Sequence, residues 1–272
     1  MHAMPNSPVH PVSTDAGVLL HTTDSRGVHT LTLNQPAAFN VLSNAMLDAL
    51  QTALAAVAAD AHARVVVLAA SGKAFCAGHN LKEMIAQPEL AAYQALFAKC
   101  TKVMLAIAGL PVPVIARVQG IATAAGCQLV AQCDLAVAAD TVKFGVNGID
   151  VGLFCATPSV PLSRNIPQKI AMEMLLTGEF ITADQAKAHG LVNRVCTADA
   201  LDATVEQLVS AVLAKPAEAL AMGKQLFYQQ REAGLAGAYQ LAGQSMACNM
   251  MLPVAQEGVL AFTEKRAPSW RA

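Results

Sequence analysis

The sequence predicts an α/β fold: a core of strands and helices over residues 18–197, followed by a helical region over residues 198–272. Three observations predict it. Short apolar runs alternate with segments of helical apolar spacing as far as Val195, and strand signals cease beyond Ala198. Hydrophobic residues make up 54% of the chain against 14% charged, which supplies a large core and leaves a surplus for subunit interfaces.

Each element has its own reason. Residues 1–17 carry prolines without Lys or Arg, which reads as a disordered tail rather than a secretory or Arg-rich targeting segment. VLLHTTD and VHTLTLN flank Ser25, Arg26 and Gly27 and read as a β-hairpin. Ser43 caps a helix whose Met46, Leu47, Leu50, Leu54 and Val57 recur at helical spacing. RVVVLAA is a continuous apolar run of the kind a strand buried on both faces shows, and a Ser-Gly turn ends it. A long helix is expected over residues 88–108. Next come a strand in PVPVIARVQG, the small-residue stretch ATAAGCQLVAQC and the strand-like DLAVAAD. A helix begins near Pro167 and stops at Gly178, and TADQAKAHGLVNRV is a short helix leading into a strand. The remaining helices break near Pro216, Gly234 and Pro253.

Charge and cysteine usage narrow the function classes. A net charge of -1 gives no electrostatic reason to expect nucleic acid or an anionic membrane as partner. The apolar stretch over residues 103–116 is interrupted by Pro111 and Pro113 and is shorter than the ~20 residues a membrane span needs. Seven cysteines, an odd number lying mostly in apolar runs, suit buried thiols in a reducing compartment, here the cytoplasm, or the mitochondrial matrix in a eukaryote. No C-x-x-C pair suggests a metal site, and GxxxxGK[ST], GxGxxG, HExxH and GxSxG are all missing.

Two segments place small residues where a strand ends: AFCAGHNLKEM from Ala74, and VQGIATAAGCQ from Val118. Small side chains let a ligand approach the backbone, and a helix opening near Ala124 would aim unpaired N–H groups and its positive dipole end at whatever lies there. Two such groups on one carbonyl would form an oxyanion hole. Tight packing at two turns is the plainer reading of the same residues.

LNQPAAFNVLS, GKAFCAGHNLKEM, PVPVIARVQGIATAAGCQLVAQCDLAVA, MEMLLTGEFITADQAKAHGLV and EGVLAFTEKRAPSW, in this order, resemble the crotonase (enoyl-CoA hydratase/isomerase) superfamily over nearly the whole chain after residue 17. The spelling of GHNLKEM, ATAAGCQLVA and LTGEFITADQA is most similar to its enoyl-CoA hydratase domain-containing protein 3 group. The resemblance implies a spiral of ββα units, a helical C-terminal trimerisation region, and a homotrimer or homohexamer. It implies an acyl-CoA ligand, with coenzyme A as part of the substrate and no tightly bound cofactor. Residue by residue it places the two oxyanion N–H groups at His79 and Ala125, with Ala77 and Leu81 beside them as substrate-binding positions. It matches Ala37, Ala38 and Phe39 to the stretch that cradles the CoA adenine, and Asn40 to a structural asparagine. Lys265 matches a lysine that reaches CoA phosphates; a solvated terminal charge is the alternative.

The departures bear on chemistry. Hydratases of the family activate water with two glutamates, and the matching positions here are Gln128 and Gly148. Neither can hold an abstracted proton, and one missing acid/base group costs ~10²- to 10⁴-fold in rate. Asp150 is a substitute base if its segment is extended, because residues two apart then share a face; otherwise it is a structural aspartate. His79 could titrate near neutral pH if its ring faces the cavity. Cys127 and Cys155 read as small buried hydrophobes, no basic partner being evident for either. The expectation is an acyl-CoA-binding, enoyl-CoA hydratase/isomerase-like enzyme of weak or altered activity. The alternatives are a non-catalytic thioester-binding protein and another crotonase-type reaction such as thioester hydrolysis or decarboxylation.

Overall fold

The computed structural model describes residues 17–271; the tail expected over residues 1–17 lies, but for Gly17, outside them. Strands β1 (Leu19–Thr23) and β2 (Val28–Leu33) form the antiparallel hairpin, with Leu19 opposite Leu33 and Thr23 opposite His29. A 3-10 turn, Pro36–Ala38, leads to α1 (Asn44–Ala59), whose cap Ser43 accepts the Met46 N–H. Then come β3 (Val65–Ala70), β4 (Ala74–Cys76), α2 (Leu81–Ala86), α3 (Leu90–Gly109), β5 (Val114–Val118), β6 (Ile121–Thr123) and α4 (Ala125–Gln132). β7 (Leu135–Ala139) and β8 (Lys143–Gly145) precede a second 3-10 turn, Asn147–Val151, and α5 (Ala156–Asn165), α6 (Gln168–Thr177), β9 (Ile181–Thr182), α7 (Ala183–His189) and β10 (Arg194–Cys196). The chain then runs through α8 (Leu201–Leu213), α9 (Ala217–Gln230), α10 (Leu235–Met250) and α11 (Pro253–Thr263).

The strands form two sheets, one in the order β1-β2-β3-β5-β7-β10 and one in the order β4-β6-β8-β9. Beyond the hairpin the larger sheet is parallel throughout. Successive units give one strand to each sheet and then a helix (β3 and β4, β5 and β6, β7 and β8), so the ββα unit of the expected spiral is present. All six residues of β3 are buried: β2 and β5 flank it in the sheet and α8 packs on it, while α1 packs on the hairpin and on α3. Leu201, Val205 and Val209 make that α8 contact, so a boundary at residue 197 separates a helix that covers the sheet from the strands it covers.

α3 is long and apolar enough, by length and composition, to cross a membrane; here Leu96, Cys100, Val103, Met104 and Ile107 are buried in the core. α9 is tied down by Lys224, whose ammonium donates to the Ile107 and Val112 carbonyls at 2.9 Å each and to Asp134 Oδ2 at 2.6 Å. Asp134 also accepts the Val114 N–H and the Tyr228 hydroxyl. α10 buries no residue and α11 only Ala261, leaving Leu235, Tyr239, Met246, Met251 and Phe262 exposed along the last two helices.

Candidate active site

β4 and β6 run parallel as neighbours, so residues 77–79 and the start of α4 emerge side by side. Two glycines set how closely. A Cβ on Gly78 (φ +91°) would lie 2.9 Å from the Ala124 Cβ and 3.3 Å from the Ala125 backbone nitrogen. One on Gly126 would lie 2.1 Å from the Cys76 carbonyl oxygen. Both substitutions would force strand and helix apart.

The loop is clamped from its other side. Leu42 donates its N–H to the Gly78 carbonyl at 2.7 Å, and Ala77 donates to the Phe39 carbonyl at 3.1 Å. Asn40 is fully buried: its amide donates to the Ser71 and Ala74 carbonyls, and its Oδ1 accepts the Gln35 N–H. That fixes the Pro36–Ala38 turn against the β3–β4 connection.

α4 begins without a side-chain cap. Ala124 takes φ 50°, ψ −121°, a conformation rarely adopted by a residue with a side chain, and donates its own N–H to the Gly145 carbonyl at 2.9 Å. The Ala125 N–H is in the first turn and has no intrahelical acceptor. The His79 N–H donates to no carbonyl among the loop and turn bonds of the described residues. Two backbone donors thus sit on loops in contact, one of them at the positive end of a helix, where developing negative charge is stabilised.

The surrounding side chains are neutral. The His79 ring stands edge-on to Phe97 of α3, centroids 5.5 Å apart, and both its nitrogens are buried without a partner. Burial holds its pKa below the ordinary histidine value, the Leu42 backbone only partly opposing this, which favours the uncharged ring. Gln128, one turn into α4, is buried, and its Oε1 has no hydrogen-bond partner. Burial pushes the Cys127 thiol up to about 12 and raises Cys155 as well, which leaves neither a ready nucleophile. Thr123 and Asn147 share a 2.5 Å hydrogen bond beside the Ala124–Gly145 contact.

Asp150 does not share a face with Gly148. The segment is a 3-10 turn, not the extended strand on which that placement depended, and Asp150 is exposed. Its carboxylate lies against Gly178 at the end of α6, where an added Cβ would come within 2.7 Å of Oδ1. A side chain at Gly148 would itself meet the Leu153 carbonyl at 2.3 Å and Cys155 Sγ at 2.9 Å, and the Gly148 N–H already donates to that sulfur. Glu83 is no free surface carboxylate either: it accepts from the Asn44 N–H and from the Asn44 and Asn80 amides, joining the starts of α1 and α2.

The other matched positions are peripheral. Ala37, Ala38 and Phe39 form an exposed ledge, with the Lys73 ammonium 5.2 Å over the Phe39 ring. Leu81 opens α2 and is exposed, while Ala77 is half-buried. Lys265 follows α11 with φ 56° and is exposed; α11 packs on α10. Phe97 and Asn147 had no signal in the sequence, since they reach the site only through the packing of α3 and the pairing of β6 with β8. Among the described residues no cluster of three or more His, Cys, Asp or Glu could hold a metal ion.

Paired sheets built from ββα units, with an uncapped helix opening beside a glycine loop, define the crotonase fold, and the chain belongs to the enoyl-CoA hydratase/isomerase family, whose sequence pattern matches residues 23–272. Within that family it is similar to human enoyl-CoA hydratase domain-containing protein 3, mitochondrial, at 41% identity over 90% of this chain and 80% of that protein. The crystal structure of the human protein matches with a TM-score of 0.86 at 39% identity, over 97% of this chain and all of that one. A Mycobacterium smegmatis enoyl-CoA hydratase structure matches with a TM-score of 0.93 at 62% identity, over 94% of this chain and all of that one. A 2,3-dehydroadipyl-CoA hydratase from Escherichia coli is 34% identical over 89% of this chain and 94% of that protein.

Proposed function

We propose that this protein binds an acyl-CoA thioester with its carbonyl oxygen between the N–H groups of His79 and Ala125, and that it is a hydratase/isomerase-like enzyme of weak or altered activity. The observation that carries the reading is the contact of the Gly78 loop with an uncapped α4, which brings two unpartnered backbone donors together. Donors fixed before substrate arrives stabilise enolate charge without reorganisation. Coenzyme A is part of the substrate, its adenine on the Ala37–Phe39 ledge and its phosphates within reach of Lys265. The exposed apolar faces of α10 and α11 support assembly into a homotrimer or homohexamer, in a reducing cytoplasm or mitochondrial matrix.

Proton transfer separates this reading from its rival. Gln128 and Gly148 stand where the family's glutamates are matched, and Asp150 is exposed beside Gly178, so no carboxylate is assigned to the acyl end. That observation favours a second reading, an acyl-CoA-binding protein without hydratase chemistry. Product analysis over a panel of saturated, 2-enoyl, 3-enoyl and malonyl-type CoA esters, with binding followed by calorimetry, decides between them. Binding with slow turnover of enoyl esters supports the proposal, and binding without any product supports the second reading. Hydrolysis or decarboxylation would assign a different crotonase-type reaction. Failure of every ester to bind overturns both readings.

A further inference from the structure

We propose that His21 and His29 form a proton-operated latch, which holds the β1–β2 hairpin on the end of α1 while the pair carries at most one proton and releases it when the pair takes up a second. The latch shares no residue with the candidate active site and does not depend on the thioester reading.

The hairpin register brings the two rings together. Thr23 lies opposite His29, and His21 is two residues along β1, so all three side chains share one face of the hairpin. His21 is 7% and His29 4% exposed, and α1 packs on both strands. His21 Nε2 lies 2.9 Å and Thr23 Oγ1 3.1 Å from His29 Nδ1, while His29 Nε2 lies 3.0 Å from Asp60 Oδ2. Asp60 caps the C-terminal end of α1 and accepts the His62 N–H on its other carboxylate oxygen. The chain of contacts thus runs from the edge strand β1, which pairs with β2 alone, to the end of a core helix.

A carboxylate only accepts, so His29 carries a proton on Nε2, and in the neutral pair its Nδ1 accepts from His21. A first added proton is accommodated: it makes His29 an imidazolium beside the Asp60 carboxylate, while His21 in its other tautomer accepts from Nδ1. A second makes both rings donors that face each other across 2.9 Å, two buried cations against one carboxylate. No further anion answers it among the described residues. The buried residues of α1 are all apolar, β3 has no titratable side chain, and Asp48 of α1 is paired with Lys99. Asp24 and Glu206 are taken by Arg26 at the hairpin turn, and Arg64 donates to the Leu213 and Lys215 carbonyls. His62, exposed beside Asp60, can add only positive charge. Burial and the neighbouring His29 both hold the His21 pKa below the ordinary value. The two rings therefore titrate as a unit, and the second proton enters only as β1 parts from α1.

The test is hydrogen exchange of the full chain from pH 7.5 to 5.5, corrected for intrinsic amide rates, with the amides of β1 compared with those of β5 and β7 inside the same sheet. One extra proton bound by the open form raises β1 opening by up to about tenfold per pH unit below pH ~6, and β5 and β7 change less. His21→Gln keeps a donor for His29 Nδ1 but cannot take up a proton, so it should abolish the rise and leave β1 protected at pH 5.5. A β1 profile parallel to that of β5 and β7 in the parent overturns the proposal, and so does a rise that persists in His21→Gln. Where the variant does not fold, nitrogen-15 NMR of the parent decides. A His21 ring that stays neutral while β1 is protected supports the latch, and a charged His21 in a protected hairpin overturns it.

Discussion

Gly126→Ala adds a single methyl at the seam between β4 and α4. Its Cβ would lie 2.1 Å from the Cys76 carbonyl oxygen, whereas ordinary contact begins at 3.4 Å, so α4 must retreat by more than ~1 Å. The strand cannot yield instead, because Phe75 and Cys76 are fully buried. Overpacking of this kind costs about 1–3 kcal/mol, which for a chain of this size lowers the melting temperature by roughly 2–12 °C. The same retreat pulls the Ala125 N–H away from the His79 N–H, and a misplacement of ~1 Å costs on the order of 100-fold in a function that needs both. Scanning calorimetry gives the first quantity and titration with butyryl-CoA the second. A folded Gly126→Ala protein with parental affinity would refute the claim that this seam sets the donor geometry.

Three further outcomes follow from the same structure. Lys224→Met strands Asp134, 17% exposed, without its cation; with both partners largely buried the loss should reach about 3 kcal/mol, and a melting temperature unchanged from the parent would contradict that role. Burial holds the pKa of both His21 and His79 below the ordinary value, and His29 lowers His21 further, so the unfolded chain binds more protons than the folded one just below pH ~6.5. Urea midpoints should therefore fall as pH drops from 7.5 to 5.5, above the range where the depressed carboxylates titrate; a flat profile would show that neither burial matters. Sedimentation at micromolar concentration should give a trimer or hexamer that covers Tyr239, Met246 and Phe262, and a stable monomer would leave those exposed residues unexplained.

What the sequence carried well was anything long enough to be periodic. The hairpin, α1, β3, β5, β7 and the C-terminal helix breaks could be read directly, because a buried strand or an amphipathic helix writes its apolar residues at a fixed spacing. The smaller sheet could not be read in this way. β4, β6, β8 and β9 are two or three residues each, too short for alternation to register, and their pairing is entirely non-local. α5 was hidden by Pro158 and Pro161, although it packs against α4.

The candidate site divides along the same line. Gly78, Gly126 and the neighbourhood of His79 and Ala125 were legible as small residues at strand ends. Which N–H groups are free depends on the Ala124 backbone angle and the missing cap, and composition records neither. The shared face of Asp150 and Gly148 required an extended segment, and the 3-10 turn at Asn147–Val151 does not supply one. Restoring a glutamate at Gly148 would meet the Leu153 carbonyl before it could meet substrate, an obstacle that only the folded backbone reveals.

Whether the two backbone donors hold the thioester is read from a crystal structure of the protein soaked with butyryl-CoA, in which the density gives the position of the thioester oxygen. That oxygen should lie ~2.7–3.1 Å from the backbone nitrogens of both His79 and Ala125. A thioester oxygen held by only one of them, or by a side chain elsewhere in the fold, would contradict that placement.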